Sequence, residues 1–351
     1  MNCIKEYVYR WFKNYETNNH QLNYLFWECT TRCNLSCLHC GCDYSGDAPI
    51  PDMPLSDFLG ALDTIPFPAK NFTVVLTGGE PLLRYDLEKC GREIRRRGMR
   101  WGLATNGYLY TPKRHNALLN AGLGALTISL DGLELSHNWL RNTSTGFQKV
   151  DKAIDLAANT PRLNFDVITC VNQHNIKELD AIYSYLKAKN VKSWKLSTII
   201  PLGRAKDNTE LLLWDFQFED LLDFIKNKRK LKELDVKYSC EGYVGRYETT
   251  VRDGYFFCRA GINIASILND GSISACPNID RTFSQGNRYS DNFYEIWQTK
   301  FEPFRNRIWT KKGQCEGCPD YKNCQGSGMH LWQGEKKNVL VCHAGKLDIT
   351  R

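Results

Sequence analysis

Residues 24–228 predict an α/β fold built on a parallel sheet, and three observations predict it. Short apolar, β-prone runs recur at 24–30, 71–77, 100–105, 125–130, 164–171 and 193–199. Helical patterns follow them at 56–65, 84–97, 112–121, 147–158, 176–189 and 212–228; strand–helix units repeated in this way require parallel strands with right-handed crossovers. Runs such as Val74-Val75-Leu76 are apolar on both faces, as strands covered on both sides must be. Sites in such sheets and barrels collect on loops at the carboxyl ends of the strands. Residues with chemistry are therefore sought after each strand.

Ahead of the first strand, Ile4, Tyr7, Val8, Trp11, Phe12 and Tyr15 fall at helical spacing, with Lys5, Arg10 and Lys13 between them. The pattern predicts an amphipathic helix within residues 1–22 that packs on the body through its apolar stripe. A membrane-surface or partner-docking role is the alternative. After about residue 235 the alternation stops and cysteines cluster. The chain thus divides into the helix (1–22), the core (23–235) and a small cysteine-rich C-terminal domain (236–351). There, Asn269-Asp270-Gly271 between β-prone runs at 264–268 and 272–275 predicts a hairpin. That hairpin would bring Cys258 near Cys276.

At 351 residues the chain has room for one large domain and a smaller one. Its 46 basic and 39 acidic residues leave a charge of +7, with no long run of one sign to act as a nucleic-acid arm. No apolar signal core follows Met1, and no window is long enough to span a membrane. Fifteen cysteines without a signal peptide argue against a secreted disulfide scaffold. They point to metal ligands and packing thiols in a reducing cytoplasm.

The first strand runs into Cys33-Asn-Leu-Ser-Cys37-Leu-His-Cys40. Three thiolates on one loop can hold three irons of a four-iron cube and leave the fourth open for chemistry. Zinc is the alternative, since thiolates suit it too. The second strand is followed by Thr77-Gly78-Gly79-Glu80-Pro81. Its glycines permit close approach of a ligand to the backbone, and Glu80 can accept from a cationic amine; taken alone, this is a turn before a helix. Asn106-Gly107 follows the third strand and Ser129-Leu130-Asp131-Gly132 the fourth, each readable as a tight turn.

Taken together, C-x3-C-x2-C one βα unit ahead of Gly-Gly-Glu resembles the radical S-adenosylmethionine (radical SAM) superfamily. The resemblance covers roughly residues 24–345. It implies a partial (β/α)6 TIM-like barrel and a 4Fe–4S cluster on Cys33, Cys37 and Cys40. The open iron would be chelated by the amino and carboxylate groups of S-adenosylmethionine. His39 occupies a position that is often aromatic in the superfamily. By the same resemblance, Gly78, Gly79 and Glu80 bind the methionine amino group. Ser129 and Asp131 lie near the ribose and carboxylate, and Asn106 is on the same rim. Arg141 pairs with the carboxylate or is an ordinary surface arginine, and residues 200–205 close beside the adenine. Cys170 reads as a packing thiol, with a hydrogen-atom donor or crosslink partner near the substrate as the alternative. Cys3, Cys29, Cys42 and Cys90 read as packing or surface thiols.

Further on, Gly271-x4-Cys276, Cys315-x2-Cys318-x5-Cys324 and Cys342 resemble the SPASM extension. This is the auxiliary iron–sulfur domain of many peptide-modifying radical SAM enzymes. It implies one complete four-thiolate site, Cys315, Cys318, Cys324 and Cys342, for an auxiliary 4Fe–4S cluster; zinc is again the alternative. A second auxiliary site has Cys258 and Cys276 secured, and Cys240 or a non-cysteine ligand is needed to help complete it. Two departures matter. Gly328 stands where the pattern has a cysteine. Pro277 stands where sulfatase-maturing relatives carry an aspartate, so formylglycine formation loses its expected base. The opening Leu25-Phe-Trp-Glu-Cys-Thr-Thr-Arg32 and the tail Gly328-Met-His-Leu-Trp332 resemble a SPASM subgroup that accompanies lipoproteins in Bacteroidetes-type bacteria.

The implied activity is reductive cleavage of S-adenosylmethionine to a 5′-deoxyadenosyl radical that abstracts hydrogen from a peptide or protein. Small-molecule dehydrogenation is the runner-up, and a zinc or electron-transfer protein is the non-enzyme alternative. The implied partners are a peptide substrate, a co-encoded lipoprotein among the candidates, and a flavodoxin- or ferredoxin-type reductant.

Overall fold

In a computed structural model the described residues are 3–44, 50–66, 71–206, 208–334 and 338–347. Helix α1 (Cys3–Asn19) leads into strand β1 (Tyr24–Thr30). Then follow α2 (Leu55–Leu62), β2 (Thr73–Gly78), α3 (Leu87–Arg96), β3 (Arg100–Thr105), α4 (Pro112–Asn120) and β4 (Leu123–Ser129). Helices α5 (Glu134–Arg141) and α6 (Gly146–Ala158) precede β5 (Asn164–Val171), α7 (Leu179–Ala188), β6 (Ser193–Thr198), α8 (Asp215–Leu231) and β7 (Asp235–Tyr238). Neighbouring strands from β1 to β7 pair in parallel. The result is the mostly parallel α/β sheet of a partial barrel.

Three tryptophans anchor the sheet to its helices. Trp27 of β1 stacks on Phe58 of α2, with ring centroids 4.0 Å apart and planes 1° from parallel. Trp101 of β3 donates its indole N–H to Ala121 O at 3.0 Å. It fits beneath α3 because residue 91 is glycine, where a Cβ would lie 2.4 Å from the indole. Trp194 of β6 donates to Thr169 Oγ1 at 2.9 Å. Each ring is fully buried; Trp101 and Trp194 satisfy their indole N–H groups as buried tryptophans usually do, whereas Trp27 Nε1 has no hydrogen-bond partner among the described residues and is held by its stacking on Phe58.

The sheet does not stop at β1. Strands β8 (Ile264–Ile267) and β9 (Ser272–Ser274) form the expected antiparallel hairpin, and β10 (Gly286–Asn287) pairs with β9. Strand β8 pairs in parallel with β1, so the order runs β10-β9-β8-β1-β2-β3-β4-β5-β6-β7. The expected boundary between 235 and 236 falls inside β7, and the C-terminal hairpin extends the core sheet.

Helix α1 forms, but it docks by a different face from the one expected. Ile4, Tyr7, Val8, Trp11 and Tyr15 are 73%, 66%, 54%, 60% and 53% exposed. The docked side is polar and aromatic. Lys13 is buried and donates to Asn323 O at 2.9 Å; Tyr9 donates to Tyr255 O; Glu16 pairs with Arg259 at 3.1 Å. Of the expected stripe, Phe12 is half-buried, edge-on to Phe257.

Candidate active site at the carboxyl ends of the strands

The loop after β1 carries Cys33, Cys37 and Cys40, and neighbouring strand-end loops fix it in place. Leu38 N donates to Leu140 O at 2.9 Å, and Arg204 N donates to Cys40 O at 3.0 Å. Arg204 Nε donates to Cys37 O at 2.7 Å, and Asn106 Nδ2 to Asn34 Oδ1 at 2.9 Å. Gly203 is held at φ 54°, and a Cβ there would stand 2.3 Å from Cys40 O, so residues 200–205 press directly on the cysteine loop. Burial pushes the Cys33 thiol up to about 11, with Glu80, Cys37 and Cys40 adding to the rise. Burial likewise raises Cys37, against the pull of Arg141. Thiols crowded in this way are the kind that a metal cluster's positive charge would hold as thiolates.

After β2, Gly78 and Gly79 lie against β1's exit loop. A Cβ on Gly78 would lie 2.1 Å from Thr30 O, and one on Gly79 the same distance from Arg32 O. The glycines are therefore demanded by backbone packing between two strand ends, a reason the sequence reading did not contain. Glu80 is fully buried. Its Oε1 accepts from Leu82 N at 2.9 Å and Thr105 Oγ1 at 2.7 Å, and its Oε2 from Asn106 N at 2.8 Å. One acceptor position on Oε2 remains, since a carboxylate oxygen takes two donors. Burial raises this carboxyl despite those three donors.

After β4, Ser129 is half-buried at the strand end and Asp131 is buried. Asp131 Oδ2 accepts from Arg141 Nε at 2.5 Å and its Oδ1 from Cys170 N at 2.8 Å. Burial alone would raise Asp131, but Arg141, His39 and His137 hold it below the usual carboxylate range. Arg141 Nη1 also reaches Cys37 Sγ at 3.7 Å. Arg141 comes from α5, a helix the sequence reading left out, and it is buried at 8% exposure. That excludes the surface-arginine alternative. His39 Nε2 lies 3.8 Å from Asp131 Oδ2, and burial brings its ring down to about 4.

Among the described residues, the one set of metal-ligating groups whose atoms lie within 4.8 Å of one another is His39, Asp131 and Cys170. Arg141 already neutralises that set. Neither cysteine set is gathered so tightly. Four thiolates on one zinc, each about 2.3 Å from the metal, would sit roughly 3.8 Å apart.

In the C-terminal domain, Cys315, Cys318, Cys324 and Cys342 gather near one another. Burial, with Cys342, Cys315 and Cys318 adding, pushes Cys324 up to about 12, and Gly345 N donates to Cys342 Sγ at 3.3 Å. Burial, with Cys240, Cys258 and Cys42 adding, likewise pushes Cys276 up to about 12. Between this domain and the barrel, a cavity of about 470 Å³ is lined by Thr198, Ile200, Pro201, Leu213, Phe218 and His343 among others. Sequence reasoning missed the carboxyl beside it. Glu241 Oε2 accepts from Thr198 N at 3.0 Å and Thr198 Oγ1 at 2.7 Å, and burial raises it to about 7. The available signal was its place just beyond the end of β7, a strand that was itself unread.

Comparison with known proteins agrees with this arrangement. Residues 27–186 match the radical SAM superfamily, and residues 258–319 match the iron–sulfur cluster-binding SPASM domain. An AdoMet-dependent heme synthase of Nitratidesulfovibrio vulgaris is 24% identical over 318 residues, 86% of this chain and 85% of that protein. The mycofactocin maturase MftC of Mycolicibacterium smegmatis is 26% identical over 325 residues, 87% and 77% of the two chains. Among solved structures, native anSMEcpe with bound AdoMet aligns with a TM-score of 0.70 at 20% identity, covering 91% of this chain and 92% of that one. Streptococcus suis SuiB bound to precursor peptide SuiA aligns with a TM-score of 0.68 at 14% identity, covering 89% and 74%.

Proposed function

This chain carries a radical SAM domain followed by a SPASM domain, and from that premise we propose an enzyme that modifies a side chain of a peptide or protein. The cofactors of these domains are S-adenosylmethionine, a 4Fe–4S cluster and auxiliary iron–sulfur clusters. When bound, the first cluster supplies the electron that cleaves S-adenosylmethionine to methionine and a 5′-deoxyadenosyl radical. The observation that carries the reading is the convergence of three loop thiols, buried Glu80 and the Asp131–Arg141 pair at neighbouring strand ends.

In this reading Cys33, Cys37 and Cys40 hold the cluster. Glu80 Oε2 takes the methionine ammonium on its spare acceptor position. Arg141, anchored through Nε to Asp131, turns its remaining guanidinium nitrogen to the carboxylate. Asn106 and Ser129 line the pocket rim, and His39 stays neutral beside the cluster loop. Holding these groups fixed lowers the barrier by positioning alone. Pro277 supplies no base, and the group assigned to proton removal from the substrate is Glu241, which is hydrogen-bonded to the cavity-lining Thr198.

The support for a peptide substrate is the fold shared with SuiB, whose structure holds a precursor peptide, and the mycofactocin maturase relative. The partners of this reading are a peptide or protein substrate, with a co-encoded lipoprotein among the candidates, and a flavodoxin- or ferredoxin-type reductant, in the cytoplasm. Among the described residues no helix is long and apolar enough to cross a membrane. The heme synthase relatives support a second reading, a small-molecule substrate. Anaerobic reconstitution followed by dithionite and S-adenosylmethionine tests the shared step. Wild type should form 5′-deoxyadenosine, and the triple change of Cys33, Cys37 and Cys40 to Ala should abolish it. Adding a co-encoded peptide or a porphyrin then separates the readings by which one gains mass-shifted product.

A further inference from the structure

Gly328 replaces a cysteine of the SPASM pattern, yet its backbone is ordinary, at φ −71° and ψ 135°. Glycine is required there by what lies against it: a Cβ would stand 2.5 Å from the carbonyl oxygen of Glu241. The turn after β7 fills that space, and the residue before Glu241 is Cys240. Hydrogen bonds fix the turn and the segments around it. Tyr243 N donates to Ser327 Oγ at 3.3 Å. Arg307 spans the gap, donating through Nη2 to Cys258 O at 2.8 Å and through Nη1 to Ser327 O at 3.4 Å. Arg252 Nη2 donates to Gly242 O at 2.9 Å. Cys258 leads into β8, and Cys276 leaves β9, its hydrogen-bonded neighbour. Cys240, Cys258 and Cys276 are near enough for their charges to act on one another, and Cys42 is within the same reach of Cys276.

We propose that Cys240 takes over the thiolate lost at position 328 and, with Cys258, Cys276 and Cys42, holds a second auxiliary iron–sulfur cluster. Cys42 and Cys240 are exposed and so open to an incoming cluster, and the proposal gives Cys42 a ligand's role beyond the packing or surface thiol expected from the sequence. Taking up a preformed cube exchanges four S–H protons for four Fe–S bonds and leaves the oxidation states of iron and sulfur unchanged. Because Cys42 follows Cys40 by two residues, the site ties the first cysteine loop to the C-terminal domain. The proposal rests on the SPASM assignment and not on cleavage of S-adenosylmethionine.

Iron and acid-labile sulfide are counted in anaerobically reconstituted full-length protein. At four irons per cube, wild type should hold about twelve irons per chain and the Cys33, Cys37, Cys40 triple Ala variant about eight. Adding Cys240→Ser or Cys42→Ser to the triple variant should each bring the count to about four. A count that stays at about eight on either change removes that residue from the site, and a triple variant already at about four overturns the site altogether. A wild type that forms no 5′-deoxyadenosine while the count still falls with Cys240 would sink the catalytic reading and leave this one standing. Alkylation of wild type by iodoacetamide, read by peptide mass spectrometry, does not depend on variant folding. Cys240 and Cys42 should be protected in reconstituted protein and modified after iron chelation, with buried Cys90 unmodified in both. Modification before chelation overturns the proposal.

Discussion

Glu241 and Glu80 are both enclosed carboxyls, yet their partners set different roles. Glu80 accepts from three donors on two segments and pins the loops after β2 and β3 together. Glu241 accepts only from Thr198, and burial leaves it at about 7. A carboxyl raised in the folded state takes up a proton on folding, so its ionisation costs stability as pH rises from the unfolded value toward 7. The ionised form is the useful base, so turnover to product should rise through about pH 7. Glu241→Gln should remove that limb and lower product formation by about 10²-fold or more, while 5′-deoxyadenosine still forms; an unchanged pH profile would refute the role. At this scale the sequence showed residue types but not reasons. Gly78 and Gly79 stood out as a ligand cradle, and the Thr30 and Arg32 carbonyls against them supply a second demand for glycine. Arg141 was visible as an arginine, but its partner Asp131 lies ten residues back across a turn.

Helices and strands were most legible where burial is two-sided. Strands β1, β3 and β5 begin and end where their β-prone runs do, because covered parallel strands are read by their apolar residues. Helix α5 was missed because it has eight residues and no side-chain N-cap, so its start reads as part of the Asp131-Gly132 turn. Helix α1 was found by its period, but periodicity cannot say which face a partner covers. The docking face is chosen by Lys13, Tyr9 and Glu16, each of which meets a partner, while the aromatic stripe is left in water. Trp11→Ser, on that stripe, should therefore change the unfolding free energy by no more than about 0.5 kcal/mol. Phe12→Ala, against Phe257, should cost roughly 1–2 kcal/mol, less than for a fully buried phenylalanine. Urea denaturation of the two variants checks this, and equal effects would mean that α1 is not docked as described.

At the scale of the molecule, the cysteine-rich domain is continuous with the barrel. Composition draws a boundary near residue 235, because helical periodicity ends and thiols begin there, but composition cannot show which strand edge the later segments join. Strand β1 depends on them. Asn23 N and Tyr24 N donate to Asn263 O at 3.0 and 3.1 Å, and β8 pairs along Tyr24 to Trp27. Glu28, 2% exposed, accepts from Asn269 N at 3.0 Å and from Arg281 Nη2 at 2.9 Å. Removing residues after 238 would uncover an apolar strand edge and leave a buried carboxylate without those donors, a loss of about 1.5–3 kcal/mol for the charge-assisted bonds alone. The full-length apo chain should therefore unfold in urea in one transition, with tryptophan fluorescence and far-ultraviolet circular dichroism coincident. Trp27, Trp101 and Trp194 report on the barrel and Trp297 and Trp332 on the C-terminal part. Two separated transitions would show that the shared sheet does not couple the halves, and that the first cysteine loop is held without help from the domain behind it.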